Sequence, residues 1–121
     1  MAFTGKNPFK IPRPLLQPGA FEATTAAGDI VLTGTSAQYQ AIDPGGSGRN
    51  VDLPAPVHGG WYFIANKADA SENIAVRQAD GSTTLVTINQ NEAALVYALD
   101  DKAADAADGW EVLAVWTIAL S

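Results

Sequence analysis

Four groups of residues in this 121-residue chain have types and spacings that could do chemistry. His58 is the only histidine. It lies between Val57 and Gly59-Gly60, at a turn before an apolar run. A general base needs an orienting partner and usually a nucleophile at hand. With no second histidine and no cysteine, His58 reads as a turn-packing residue. Asp100, Asp101, Asp105 and Asp108 form the densest acidic cluster. Calcium loops place oxygen ligands at tight alternate positions with a glycine at the bend. Here alanines fill the gaps, so the segment reads as a solvated turn between strands. Gly45-Gly46-Ser47-Gly48-Arg49 has the glycines of a phosphate cradle but lacks the lysine and following helix that a P-loop needs; it reads as a mobile loop. Trp61-Tyr62-Phe63, with Trp110 and Trp116, could stack on sugar rings or fill a contact between subunits. The absence of cysteine removes disulfides, thiolate catalysis and cysteine-based zinc sites. No catalytic set can be assembled, so the expectation is a non-enzyme with no cofactor and no metal.

The elements that must position these residues are strands. Apolar and β-branched runs at Asp29–Thr33, Ala37–Asp43, Asn50–Leu53, Gly60–Asn66, Asn73–Gln78, Thr83–Ile88, Ala93–Leu99 and Trp110–Leu120 recur roughly every ten residues. Explicit turn chemistry separates them, with Asp80-Gly81 the strongest hairpin signal. Period-two alternation puts Leu95, Tyr97 and Leu99 on one face. The same rule puts Trp110, Val112, Ala114, Trp116 and Ile118 together, opposite Glu111, Leu113, Val115 and Thr117. On a strand, consecutive aromatics alternate, so at least one of Trp61 and Tyr62 faces away from the core. Only Asp101–Asp108 could form a helical turn. The fold class is all-β: a compact β-sandwich, jelly-roll-like or small-barrel body over residues 22–121, preceded by an extended N-terminal arm, residues 1–21.

The arm is set apart by charge and proline. It carries four of the seven prolines and three basic residues, with no acid. All thirteen acids and only four bases lie in the body, so a +3 arm precedes a −9 body. Residues before proline are pushed to extended backbone, which disfavours helix. Phe3, Phe9, Ile11, Leu15, Leu16 and Phe21 are more large apolar groups than a solvated linker carries. The arm therefore reads as a segment that docks on a neighbouring subunit. An acidic body with a pI near 4.4 repels phosphate and argues against nucleic acid. The N-terminus lacks the pattern of a signal peptide, and no run reaches the eighteen or so apolar residues that span a bilayer. The expectation is a soluble chain made in the cytoplasm.

One continuous pattern runs from Gln38 to Val115. YQAID and GGSGRNVDLPAP are followed by GGWYFIANKADASENIAVRQADGSTTLVTINQNEAALVYALDD and then DGWEVLAV. The order is an entry strand, V-x-L-P, G-x-x-[FY]-x-I-x-N, I-x-V, a D-G turn, A-x-x-V-Y and G-W-x-V. This resembles a β domain of tailed-bacteriophage virion proteins, including head decoration (cement) proteins and some tail-fibre modules. With the arm in front, the chain is most similar to the decoration proteins. The resemblance implies a homotrimer on the outer capsid surface, made in the host cytoplasm, that clamps neighbouring subunits of the major coat protein. It would do so through Phe3, Lys6, Phe9, Lys10, Ile11, Arg13, Leu15 and Leu16, with Trp61, Tyr62 and Trp116 at a subunit interface. Neither nucleic acid nor membrane is implied as a partner. The alternative is a carbohydrate- or host-surface-binding module of the tail-fibre kind, with Trp61 or Tyr62 as its stacking platform.

Overall fold

In the computed structural model the described residues are 21–56, 60–98 and 107–118. They form nine strands: β1 (Phe21–Thr25), β2 (Ile30–Val31), β3 (Tyr39–Asp43), β4 (Arg49–Asp52), β5 (Trp61–Asn66), β6 (Ile74–Arg77), β7 (Thr84–Ile88), β8 (Glu92–Ala98) and β9 (Trp110–Thr117). The all-β architecture is as expected, and each of the eight expected strands contains or overlaps an observed one. β1 is additional and begins at the last residue assigned to the arm. The Asp100–Asp105 part of the acidic segment, His58, Leu99 and residues 1–20 lie outside the described residues.

The strands form two sheets, a five-stranded one in the order β1-β3-β5-β8-β9 and a four-stranded one in the order β2-β4-β6-β7. The first six strands alternate between the sheets. Within each sheet the successive strands of this part are parallel. The chain thus winds as a two-sided coil for three turns rather than as a jelly roll. β7, β8 and β9 then close it with antiparallel pairs. Asp80-Gly81 does lie in a β6–β7 hairpin. Its six-residue connection is held by the Asp80 carboxylate, which accepts from the amides of Ser82 (2.9 Å) and Thr83 (2.8 Å).

Alternation explains how the layers pack. Ile42, Tyr62, Ile64, Ala94, Val96 and Trp110 from the five-stranded sheet meet Val51, Ile74, Val76 and Ile88 from the other, all at most 2% exposed. The Tyr62 and Trp110 rings lie 5.7 Å apart inside. Their polar ends are satisfied: Tyr62 Oη donates to the Thr33 carbonyl (2.6 Å) and Trp110 Nε1 to that of Pro54 (2.8 Å). Two buried amides tie the sheets together. Asn66 Nδ2, at the end of β5, donates to the carbonyl of Ile88 at the end of β7 (3.0 Å). Gln78 Nε2 donates to the Trp110 carbonyl (3.1 Å), and Gln78 Oε1 accepts the Trp110 amide (3.3 Å).

The glycine loop is the β3–β4 corner and closes on itself. Gly45 N donates to Asp43 Oδ1 (3.0 Å), and Arg49 Nε reaches back to the Pro44 carbonyl (3.2 Å). Gly45 has φ of +62°, and a Cβ there would sit 2.8 Å from the Ala26 carbonyl oxygen. Both the dihedral and the close approach of β1 require glycine.

Candidate docking surface

The outer faces of the two sheets are chemically opposite. Outside the four-stranded sheet lie Asn50, Asp52, Arg77 and Thr87, which alternate with the buried core residues. Arg77 clamps the Asp52 carboxylate through Nε and Nη2 (2.9 Å) and reaches Asp29 (3.4 Å). These charges raise the Arg77 pKa further, with the Asp52 hydrogen bond the largest cause. The Asp29 carboxylate, held chiefly by the side chain and amide of Asn50, is lowered. This is a solvated face with its charges paired.

Outside the five-stranded sheet lie rings and small residues. Backbone register aligns Tyr39, Phe63, Leu95 and Ala114 in one row across β3, β5, β8 and β9. The next row is Ala23, Ala41, Ala65, Ala93 and Trp116, and on the other side Trp61 pairs with Tyr97. Tyr39 packs edge-on against Trp61 (6.2 Å) and tilted against Phe63 (5.6 Å). Phe63 in turn meets Trp116 at 5.7 Å. The last contact spans β8 above Ala93, whose small side chain lets the two rings meet and which is fully buried beneath them. Tyr39 and Trp116 nonetheless remain 46% and 44% exposed.

Of the expected interface residues, Trp61 and Trp116 come together on this face. Tyr62 does not: it is 1% exposed and faces the core, so its ring is unavailable to a subunit or a sugar. The expected grouping on β9 is also corrected. A bulge between Leu95 and Val96 on β8 leaves Leu113 as an extra residue on β9. Trp110 and Val112 face inward, but Ala114 and Trp116 face outward, because one extra residue reverses every side chain beyond it. Leu113 and Val115 are 52% and 46% exposed, so the far half of β9 presents apolar groups on its face and at its edge. The docking residues from Phe3 to Leu16 lie outside the described residues.

One cluster was not legible beforehand. Carboxylate oxygens of Asp43, Asp69 and Glu72 lie within 4.8 Å of one another. The residues come from the end of β3 and from the β5–β6 loop, which the coil brings side by side. Glu72 Oε2 is buried without a hydrogen-bond partner among the described residues. Three carboxylates supply about half of the six to eight oxygens that calcium takes, so they form a concentrated negative pole rather than a complete cage. Among the described residues no histidine or cysteine accompanies them. The one large pKa displacement, the lowering at Asp80, arises first from the Thr83 hydroxyl and then from the turn amides of Thr83 and Ser82, as expected of a structural cap. Comparison with known protein families and with curated proteins finds no match for this chain.

Proposed function

We propose that the chain is a structural protein of a tailed-phage head, one that sits on the outer capsid surface and clamps neighbouring coat subunits. The observation that supports this most is the asymmetry of the two outer faces. One is solvated and charge-paired; the other exposes an ordered cluster of Tyr39, Phe63 and Trp116 beside the apolar end of β9. Large exposed apolar patches mark surfaces that another protein covers. The sequence resemblance to decoration proteins supplies the setting, and the basic, apolar arm supplies the second attachment. In this reading the chain is not an enzyme, its body associates as a homotrimer, and the arms dock on coat protein. Each ordered arm residue costs about 1–2 kcal/mol of backbone entropy. Phe3, Phe9, Ile11, Leu15 and Leu16 offset that cost, and several arms on one oligomer act multivalently.

Deletion of residues 1–20 tests the reading on capsids lacking the protein. Binding is expected to fall by at least about 100-fold, the gain a linked attachment ordinarily brings. Undiminished binding would sink the arm's role. The exposed rings also favour a second reading, a carbohydrate-binding surface built on Tyr39, Trp61 and Trp116. The rings here tilt and cross rather than lie coplanar, which suits packing against side chains better than stacking on a sugar. Quenching of tryptophan fluorescence by added sugars at millimolar concentration would favour the carbohydrate reading.

A further inference from the structure

The five-stranded sheet ends at β1, and among the described residues no strand pairs with its outer edge. The direction of that edge is fixed by one hydrogen bond. Ala26 N donates to Asp43 O at 2.8 Å, so the Ala26 backbone points inward, toward β3. Backbone groups alternate along a strand. Glu22 and Thr24 therefore also turn to β3, while Phe21, Ala23 and Thr25 present their N–H and C=O groups outward.

The residues ahead of β1 match this edge in three independent ways. Pro8, Pro12, Pro14 and Pro18 all occupy even positions. An extended segment facing β1 with its odd residues would use the amides of Arg13, Leu15 and Gln17 and would need none from a proline. The prolines then point to solvent, the one orientation in which a strand tolerates them, and they block any further strand. Second, Pro18-Gly19 is turn chemistry. Pairing Gln17 with Phe21, Leu15 with Ala23 and Arg13 with Thr25 leaves a connection of Pro18, Gly19 and Ala20, within the usual hairpin range of about two to five residues. Third, the faces and charges agree. Paired residues share a face, and Ala23 lies in the outer row with Ala41 and Ala65. Leu15 would therefore extend the apolar outer face. Arg13, beside Thr25, would stand two strands from Asp43, about 10 Å, facing the carboxylates of Asp43, Asp69 and Glu72.

We propose that residues 11–17 fold back on their own chain as an antiparallel sixth strand along the outer edge of β1. The single-edged strand closes the sheet at this side and carries Arg13 to the acidic pole. The arm is thereby divided: its proximal half belongs to the body, and Phe3, Lys6, Phe9 and Lys10 remain for a partner. The proposal stands independently of the capsid reading, because it concerns the free protein.

Amide hydrogen exchange of the full chain, resolved by residue, tests it without any partner. The amides of Arg13, Leu15 and Gln17, and those of Ala23 and Thr25, should exchange at least about 100-fold more slowly than the outward-facing amide of Leu16. Leu15→Pro removes a donor from the paired edge, and protection at Ala23 and Thr25 should fall by at least about tenfold. Leu16→Pro, at a solvent-facing position, should leave that protection intact. Fast exchange throughout residues 11–17, or equal damage from the two variants, would overturn the proposal. Protection that fades on dilution would also overturn it, since the strand would then come from a second copy.

Discussion

At the scale of single residues, stability rests on a few polar side chains in places where water cannot substitute for them. Asn66 is fully buried. Its Nδ2 donates to the carbonyls of Glu72 and Ile88, both at 3.0 Å, and its Oδ1 accepts the Ala68 amide at 2.9 Å. Asn66→Ala strands these groups, each at about 1–3 kcal/mol. The expected loss is about 3 kcal/mol, read as a lower urea midpoint, and a loss below about 1 kcal/mol would show that solvent reaches the site. Asp80 is the exposed counterpart. Its carboxylate pKa is depressed by hydrogen bonds from Thr83 and Ser82, so its contribution is fully present above the unfolded-state value and is lost as pH falls through the folded value. The melting temperature of the protein should exceed that of Asp80→Ala by a constant margin from pH 7 down to about pH 4 and approach it below that. A margin unchanged at pH 2 would mean that the hydroxyl and amide contacts, not the charge, hold the turn.

At the scale of elements, strands whose side chains alternate were legible in the sequence, and partners were not. Ile74 and Val76, or Leu95 and Tyr97, declare a pleat through period two, because only one face is buried. Phe21–Thr25 has a glutamate and two threonines and declares nothing; it is a strand because β3 lies beside it in parallel register. The two-sided winding escaped for the same reason, since strand rhythm does not say which sheet comes next. Alternation at Trp61-Tyr62 required one residue out and one in, but the choice depended on the packing of Tyr62 against Trp110. The cluster of Asp43, Asp69 and Glu72 exists only through tertiary proximity. On β9 the error had one cause, the extra residue Leu113. A deletion test follows. Removing Leu113 joins Val112 to Ala114 in an unbroken ladder and keeps both halves of β9 facing as they do now, at a cost expected below about 2 kcal/mol. Removing Leu95 from β8 instead turns residues 92–94 to the wrong face, and cooperative denaturation should disappear. If the two deletions cost the same, the bulge is not what sets the faces of β9.

At the scale of the whole molecule, the chain is a dipole in composition: a +3 segment followed by a −9 body. The body's acids are unevenly used. Asp52 and Asp29 are paired with Arg77, whereas Asp43, Asp69 and Glu72 crowd together at the far end of the other sheet without a basic partner among the described residues. Such a body repels its own kind at long range, which opposes association except where apolar faces meet. The rings of Tyr39, Phe63 and Trp116 offer that contact, while Lys6 and Lys10 approach a different, acidic surface on the coat. The two attachments should therefore respond oppositely to salt. Contacts between exposed charges are screened beyond about 10 Å at 0.1 M and beyond about 3 Å at 1 M salt, whereas apolar burial is little affected. Capsid affinity of the intact protein should fall by about tenfold or more between 0.05 M and 0.5 M sodium chloride, the direction Debye screening requires. Self-association of the body, followed by light scattering, should hold or strengthen over the same range as like-charge repulsion is screened. Replacing Lys6 and Lys10 by glutamine should flatten the first dependence and leave the second unchanged. An affinity for capsids that does not vary with salt would assign the attachment to the aromatic face and remove the charged arm from it.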